Sequence, residues 1–225
     1  MINFPSRLAA LVGIIAFWGS VSTVSAQQEF PPPQGKGRVV VIASGMSGPE
    51  HYKEVASEIA KLGYDAVLFD GREEENTHGQ GVRRDIAAAI AMPHALPGKV
   101  ALVGFSLGGG EQMFWGTQSS DQVAGAIVWY PANAFIRDVS GFANRLAVPV
   151  VVFAGGKDHF RNGCCTADKD SALEQAVKSA GKSFDLTIYP DADHDFVKGG
   201  DHYNAKDYGD ALQKTAAALK TYLGD

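Results

Sequence analysis

A serine hydroxyl attacks a carbonyl only when a base takes its proton and a third group holds that base in the right tautomer. Residues of those types occur in three separate stretches of this chain. Ser106 stands in Gly104-Phe105-Ser106-Leu107-Gly108, after the apolar run Val100 to Val103 and before a helical pattern. Strand, glycine-flanked serine, then helix is the order that forces a serine into a sharp turn with its hydroxyl exposed at the end of a sheet. Gly104 and Gly108 lack the Cβ atoms that would crowd such a turn. The following helix aims its unpaired N-terminal amides at the same spot, where they favour developing negative charge.

The partners follow in the order that this arrangement requires, acid and then histidine. The run PVVVFA ends in Gly155-Gly156-Lys157-Asp158, which puts a carboxylate at the carboxyl end of a strand. The run FDLTIY ends in Pro190-Asp191-Ala192-Asp193-His194 and puts an imidazole in the loop beyond another. His194 is therefore expected as general base and then acid, with Asp158 as its orienting group. His159 and His202 are rival bases, and Asp168 is a rival carboxylate. His159 would have to fold back from its place beside Asp158, and His202 lies farther from its strand.

The tetrahedral intermediate needs two backbone donors for its oxyanion. One is expected from the Leu107 amide, just after the nucleophile. The other is expected from Met46, in the Ser44-Gly45-Met46 turn after the first long strand. This chemistry calls for no cofactor and no metal.

The elements that must position these groups alternate along the chain. Apolar strands are expected at Arg38–Ala43, Tyr64–Phe69, from Val100 to the elbow, and at Val123–Trp129, Pro149–Ala154 and Phe184–Tyr189. Helices are expected at Pro49–Leu62, Val82–Met92, from the elbow to about Gln118, and at Asp168–Ala180 and Ala205–Leu223. Such alternation calls for a doubly wound, mostly parallel α/β sheet of about six strands, covered on both faces. Ligands sit at the carboxyl ends of strands in such sheets, where Ser106, Asp158 and His194 all fall. Residues 27–37 read as an extended, Pro/Gly-rich lead-in and residues 38–225 as one domain.

Residues 1–26 read as an export leader. Arg7 precedes the apolar stretch Leu8 to Gly19, and Val24-Ser25-Ala26 offers small residues for cleavage before Gln27. A periplasmic or secreted protein is expected, without stable membrane insertion once the leader is removed; an uncleaved anchor is the alternative. The whole chain carries a formal charge of −5, with no basic run suited to nucleic acid. The expected partner is a small molecule, and the protein a monomer or small homo-oligomer.

Cys164 and Cys165 are adjacent and are the only cysteines. Neighbouring Cα atoms lie about 3.8 Å apart, below the usual disulfide range, so a vicinal disulfide here would be strained and easily reduced. Two thiols packed beneath a loop are the other reading, and the spacing does not suit zinc.

Taken together, VVVIASG, GYDAVLFDGR, KVALVGFSLGG, the strand ending in GGKD and the phrase YPDADHDF resemble the dienelactone hydrolase family of α/β hydrolases. The likeness covers nearly all of Arg38 to Asp225. It implies a compact, lidless hydrolase of carboxylic esters or lactones, with Ser106, Asp158 and His194 as catalytic trio and oxyanion amides at Met46 and Leu107. Two features depart from the founding members: Ser106 replaces a cysteine, and Gly45 stands where those enzymes carry an acidic residue. Both point to ordinary serine esterase chemistry. The family's carboxylate-gripping arginine is matched only by Lys198. Tyr130, Phe160 and Phe196 are expected to line the substrate site, with Trp129 and Tyr203 as further wall candidates. A peptidase or acyltransferase using the same trio, and a non-catalytic exported binding protein, are the alternatives.

Overall fold

The computed structural model describes residues 27–224; the expected leader lies outside the described residues. Seven strands form one sheet in the order β1-β3-β2-β4-β5-β6-β7. The core strands are β2 (Val39–Ala43), β3 (Asp65–Phe69), β4 (Val100–Phe105), β5 (Val123–Trp129), β6 (Val150–Gly155) and β7 (Phe184–Tyr189), all paired in parallel. The seventh, β1 (Gln28–Phe30), pairs antiparallel with β3 and lies within the stretch read from sequence as a lead-in. Three residues are too few to show an alternating pattern, and Pro31 to Pro33 supply no amide hydrogens to prolong the ladder.

The strands are apolar on both sides because both faces are covered. In β2, Val40 and Ile42 face one core together with Val55 and Ile59 of α1 (Lys53–Lys61) and Ala211 and Leu219 of α7 (Ala205–Leu223). Val39 and Val41 face the other, with Val82 and Ile86 of α2 (Gln80–Ile90) and Met113 of α3 (Ser106–Phe114). Phe142 of α4 (Val139–Arg145) and, after the one-turn α5 (Phe160–Gly163), Leu173 of α6 (Ala167–Ser179) complete that face. Each fully buried Val, Ile or Leu contributes about 1.5–3 kcal/mol, so the two layers hold the central strands firmly.

Between β5 and β6 the chain forms α4, packed into the second core. The expected helix at Pro49–Leu62 is a 3-10 turn, Pro49–Tyr52, followed by α1. The elbow helix stops at Phe114, and a 3-10 turn carries the chain from Gly116 to Gln118. No helix among the described residues is long and apolar enough to cross a membrane.

Candidate active site

Ser106 is the first residue of α3, immediately after β4, and its φ is 48°. This left-handed conformation is costly for a residue with a side chain and persists only where the surroundings impose it. Glycines make the imposition feasible. A Cβ on Gly104 would stand 2.5 Å from the Gly109 Cα, and one on Gly108 would stand 2.6 Å from the Ala43 Cβ and the Ser44 carbonyl oxygen. The turn is closed by the Gly108 amide, which donates to the Ser44 carbonyl at 3.2 Å.

Three loops converge there. The Ser106 Oγ lies 3.0 Å from His194 Nε2, and His194 Nδ1 lies 2.7 Å from Asp158 Oδ2. The second carboxylate oxygen of Asp158 accepts from the Phe160 amide at 3.0 Å. All three side chains are buried, Ser106 and His194 to within a few per cent. His159 and Asp168 are exposed, and His202 lines the cavity while the serine's hydrogen bond goes to His194.

A cavity of about 160 Å³ opens onto Ser106 and His194, with Met46, Tyr52, Phe160 and Asp195 among its walls. Met46 belongs to the turn packed against Ser106: a Cβ on Gly45 would lie 3.0 Å from the Ser106 Cβ. Leu107 is the next residue of α3, where amides have no partner within the helix.

The expected wall residues divide. Phe160 reaches the cavity and stacks face to face on His194, ring centroids 4.3 Å apart. Tyr130 and Phe196 are fully buried, as is Trp129, and none of the three lines the cavity. Their rings pack edge-on against each other, with Tyr130 also against the His194 ring. Tyr203 is exposed and packs on Tyr208. Lys198 pairs with Glu54 of α1 and does not line the cavity.

Cys164 and Cys165 form the vicinal disulfide. Its Cys165 sulfur is buried, within 4.8 Å of a ring nitrogen of His194 and a carboxylate oxygen of Asp158. Those three atoms are also the one set among the described residues with metal-ligand proximity. The set does not suit a metal, because the sulfur is spent in the disulfide and the other two atoms belong to groups hydrogen-bonded to each other. Beneath the same loop lies Asp170, which accepts from Asn133 at 2.8 Å. Burial pushes its carboxyl up to about 8, the Asn133 donor opposes the rise, and the charge of Asp158 adds to it. Sequence reasoning did not single out Tyr52, Asp195 or Asp170; of these only Asp195, next to His194, carried a positional signal.

A family model, described as the dienelactone hydrolase family, matches residues 71–223, more than half of the chain. The chain belongs to the dienelactone hydrolase family. As a dienelactone hydrolase family member it is a carboxylic ester hydrolase with a small-molecule substrate. It is 26% identical over 204 residues to a Methylorubrum extorquens protein named "Putative carboxymethylenebutenolidase", covering 77% of this chain and 68% of that one. Among solved structures, a dienelactone hydrolase-like promiscuous phosphotriesterase from metagenomic libraries superposes with a TM-score of 0.71 at 18% identity, over 85% of this chain and 89% of the other. Esterase 2 of Thermogutta terrifontis, phosphoramylated by tabun, superposes with a TM-score of 0.67 at 17% identity, over 88% and 90% of the two chains. At those identities the two structures speak for the dienelactone hydrolase fold alone.

Proposed function

We propose that this protein is an exported serine esterase that cleaves a small carboxylic ester or lactone through an acyl-enzyme on Ser106. The observation that carries this reading is the continuous contact from Ser106 Oγ to His194 Nε2 at 3.0 Å and from His194 Nδ1 to Asp158 Oδ2 at 2.7 Å. In the first step Oγ bonds to the substrate carbonyl carbon while its proton passes to His194 Nε2. The Met46 and Leu107 amides stabilise the resulting oxyanion. Collapse expels the alkoxide, which takes the proton from His194 and leaves as the alcohol. Water then attacks the acyl-enzyme, giving its proton to His194, and a second collapse returns that proton to Oγ and frees the acid. Asp158 keeps the imidazole in the tautomer that presents Nε2 to the serine and stabilises the imidazolium formed during each proton transfer.

The size of the cavity, about 160 Å³, supports short acyl groups. Export is supported by the leader-like pattern of residues 1–26 and by a disulfide, a bond that persists in oxidising compartments. The decisive experiment compares p-nitrophenyl acetate hydrolysis by the wild type and Ser106→Ala, alongside labelling by a fluorophosphonate. Turnover and stoichiometric labelling should both vanish in the variant. Equal rates in the two proteins would remove Ser106 as nucleophile.

A further inference from the structure

Asp195 directly follows His194, and its φ is 63°. Aspartate tolerates the left-handed region better than most residues, but the conformation still has to be held by its surroundings. Its side chain is only 14% exposed and has two partners. His51 Nε2 lies 3.0 Å from Oδ1 and 2.9 Å from Oδ2, and the Tyr130 hydroxyl donates to Oδ1 at 3.2 Å. Tyr130 is itself held at a positive φ of 37° and is wholly buried.

The Tyr130 oxygen meets a second buried phenol. The Tyr52 hydroxyl engages Tyr130, the Gly45 backbone and Ser47. Its oxygen presses on that turn so closely that a Cβ on Gly45 would stand 2.6 Å away. Each phenol has one proton to give. The Tyr130 proton goes to the carboxylate, so the Tyr52 proton goes to the Tyr130 oxygen, and the Tyr52 oxygen is left to accept from the Gly45 amide. Burial keeps both phenols protonated and able to donate.

We infer that Tyr52, Tyr130 and Asp195 form a hydrogen-bonded chain that fixes the Gly45-Met46 turn relative to His194, making them positioning residues for the reaction proposed above. The inference rests on that reading of Ser106 and His194. The chain runs from the residue beside His194 to the turn that faces Ser106, along the cavity wall formed by Asp195 and Tyr52 and through the wholly buried Tyr130. With the Gly45 amide held by Tyr52, the Met46 amide is the donor left to meet an oxyanion. His51 and Tyr52 share one 3-10 turn, so Asp195 holds that segment both directly and through the phenols. Oxyanion donors accelerate a reaction only when already placed where charge develops, and a turn flanked by Gly45 and Gly48 needs outside restraint to stay there.

The test uses Tyr52→Phe, Tyr130→Phe and the double variant, each keeping the rings and losing hydroxyls. Each single change should lower kcat for p-nitrophenyl acetate by about ten- to a hundredfold. KM should stay within about twofold, since the loss falls on the transition state. The double variant should be no slower than the slower single one, because one break already severs the chain. Asp195→Ala should match the single variants, while Asp195→Asn, which keeps an acceptor oxygen, should recover most of the rate. Wild-type kcat in either single variant, or losses that multiply in the double variant, would overturn the inference. So would a lowered melting temperature with unchanged kcat, the mark of a merely structural role. Fluorophosphonate labelling of the wild type separates the two failures: labelling lost in Ser106→Ala with phenol variants at full rate sinks this chain alone, whereas Ser106-independent turnover sinks the function beneath it.

Discussion

Phe160 lies flat against His194, its ring plane 3° from that of the imidazole. Phe160 begins the short turn Phe160–Gly163, and its amide donates to Asp158, so one residue contacts both His194 and Asp158. A planar neighbour of this kind limits rotation of the imidazole about its own axis. The Arg161 guanidinium sits over the same phenyl ring, 5.5 Å from its centre.

Removing the ring should therefore slow the reaction without unfolding the protein. Phe160→Ala is expected to reduce kcat/KM by about tenfold, because a loosened base spends less time aligned with Ser106. Phe160→Tyr should restore most of it. Steady-state kinetics with p-nitrophenyl acetate, with melting temperature as a control, would show whether stacking matters.

Asp158 should matter for the tautomer more than for the shape of the site. Asp158→Asn can keep the contact of Oδ1 with the Phe160 amide while presenting the wrong group to His194 Nδ1. Turnover should fall by about a thousandfold or more, as expected when an orienting carboxylate becomes an amide. Circular dichroism should be unchanged.

The disulfide offers a chemical handle on the same pair. A dithiol reductant would transfer two electrons and two protons to the Cys164–Cys165 bond, leaving a buried Cys165 thiol beside Asp158 and His194. That thiol can donate to the Asp158 carboxylate in competition with His194, and the small ring that restrains the Cys164–Cys165 peptide opens. Reduced enzyme is expected to be slower, with recovery on reoxidation. Cys164→Ser should be indifferent to reductant. Thiol titration alongside the activity assay gives the answer; full reduction with no change in rate would refute the expectation.

Buried carboxyls set the direction of the pH dependence of stability. Burial raises Asp170 to about 8, Glu111 to about 7, and Asp65 and Asp85 to about 6. A carboxyl whose folded pKa lies above its unfolded value binds more protons in the folded state, so stability falls as pH rises between the two. The window runs from about pH 4, the ordinary carboxylate value, to about 8. The carboxyls held low by cations, Asp70, Asp191 and Asp210, act in the opposite direction; Asp191 and Asp210 sit in exposed ion pairs of small worth, and Asp70, itself buried, pairs with a half-exposed Arg72. Asp170→Asn should raise the melting temperature near pH 8.5 and change it little near pH 5. A gain at the lower pH instead would contradict the assignment.

Much of the scaffold was legible because both faces of the sheet demand apolar residues. The runs Val123–Trp129 and Phe184–Tyr189 became strands with those bounds, and Ala205–Leu223 became a helix opened by an Asn204 cap. The short β1 was not legible as a strand, since its pairing with β3 is a long-range event with no local pattern behind it.

The sequence by itself determined which residue types could react and in what order the strands would deliver them, because the elbow glycines and strand-end positions are local properties of the chain. Only the tertiary structure decided which neighbours face the cavity. Tyr130 and Phe196 turn inward, Phe160 turns onto the imidazole, and Lys198 is taken by Glu54 from another helix. The pairing of the adjacent cysteines was likewise open in the sequence and closed in the fold. Direction and partnership of side chains depend on packing between segments far apart in the chain, and no spacing along one segment encodes them.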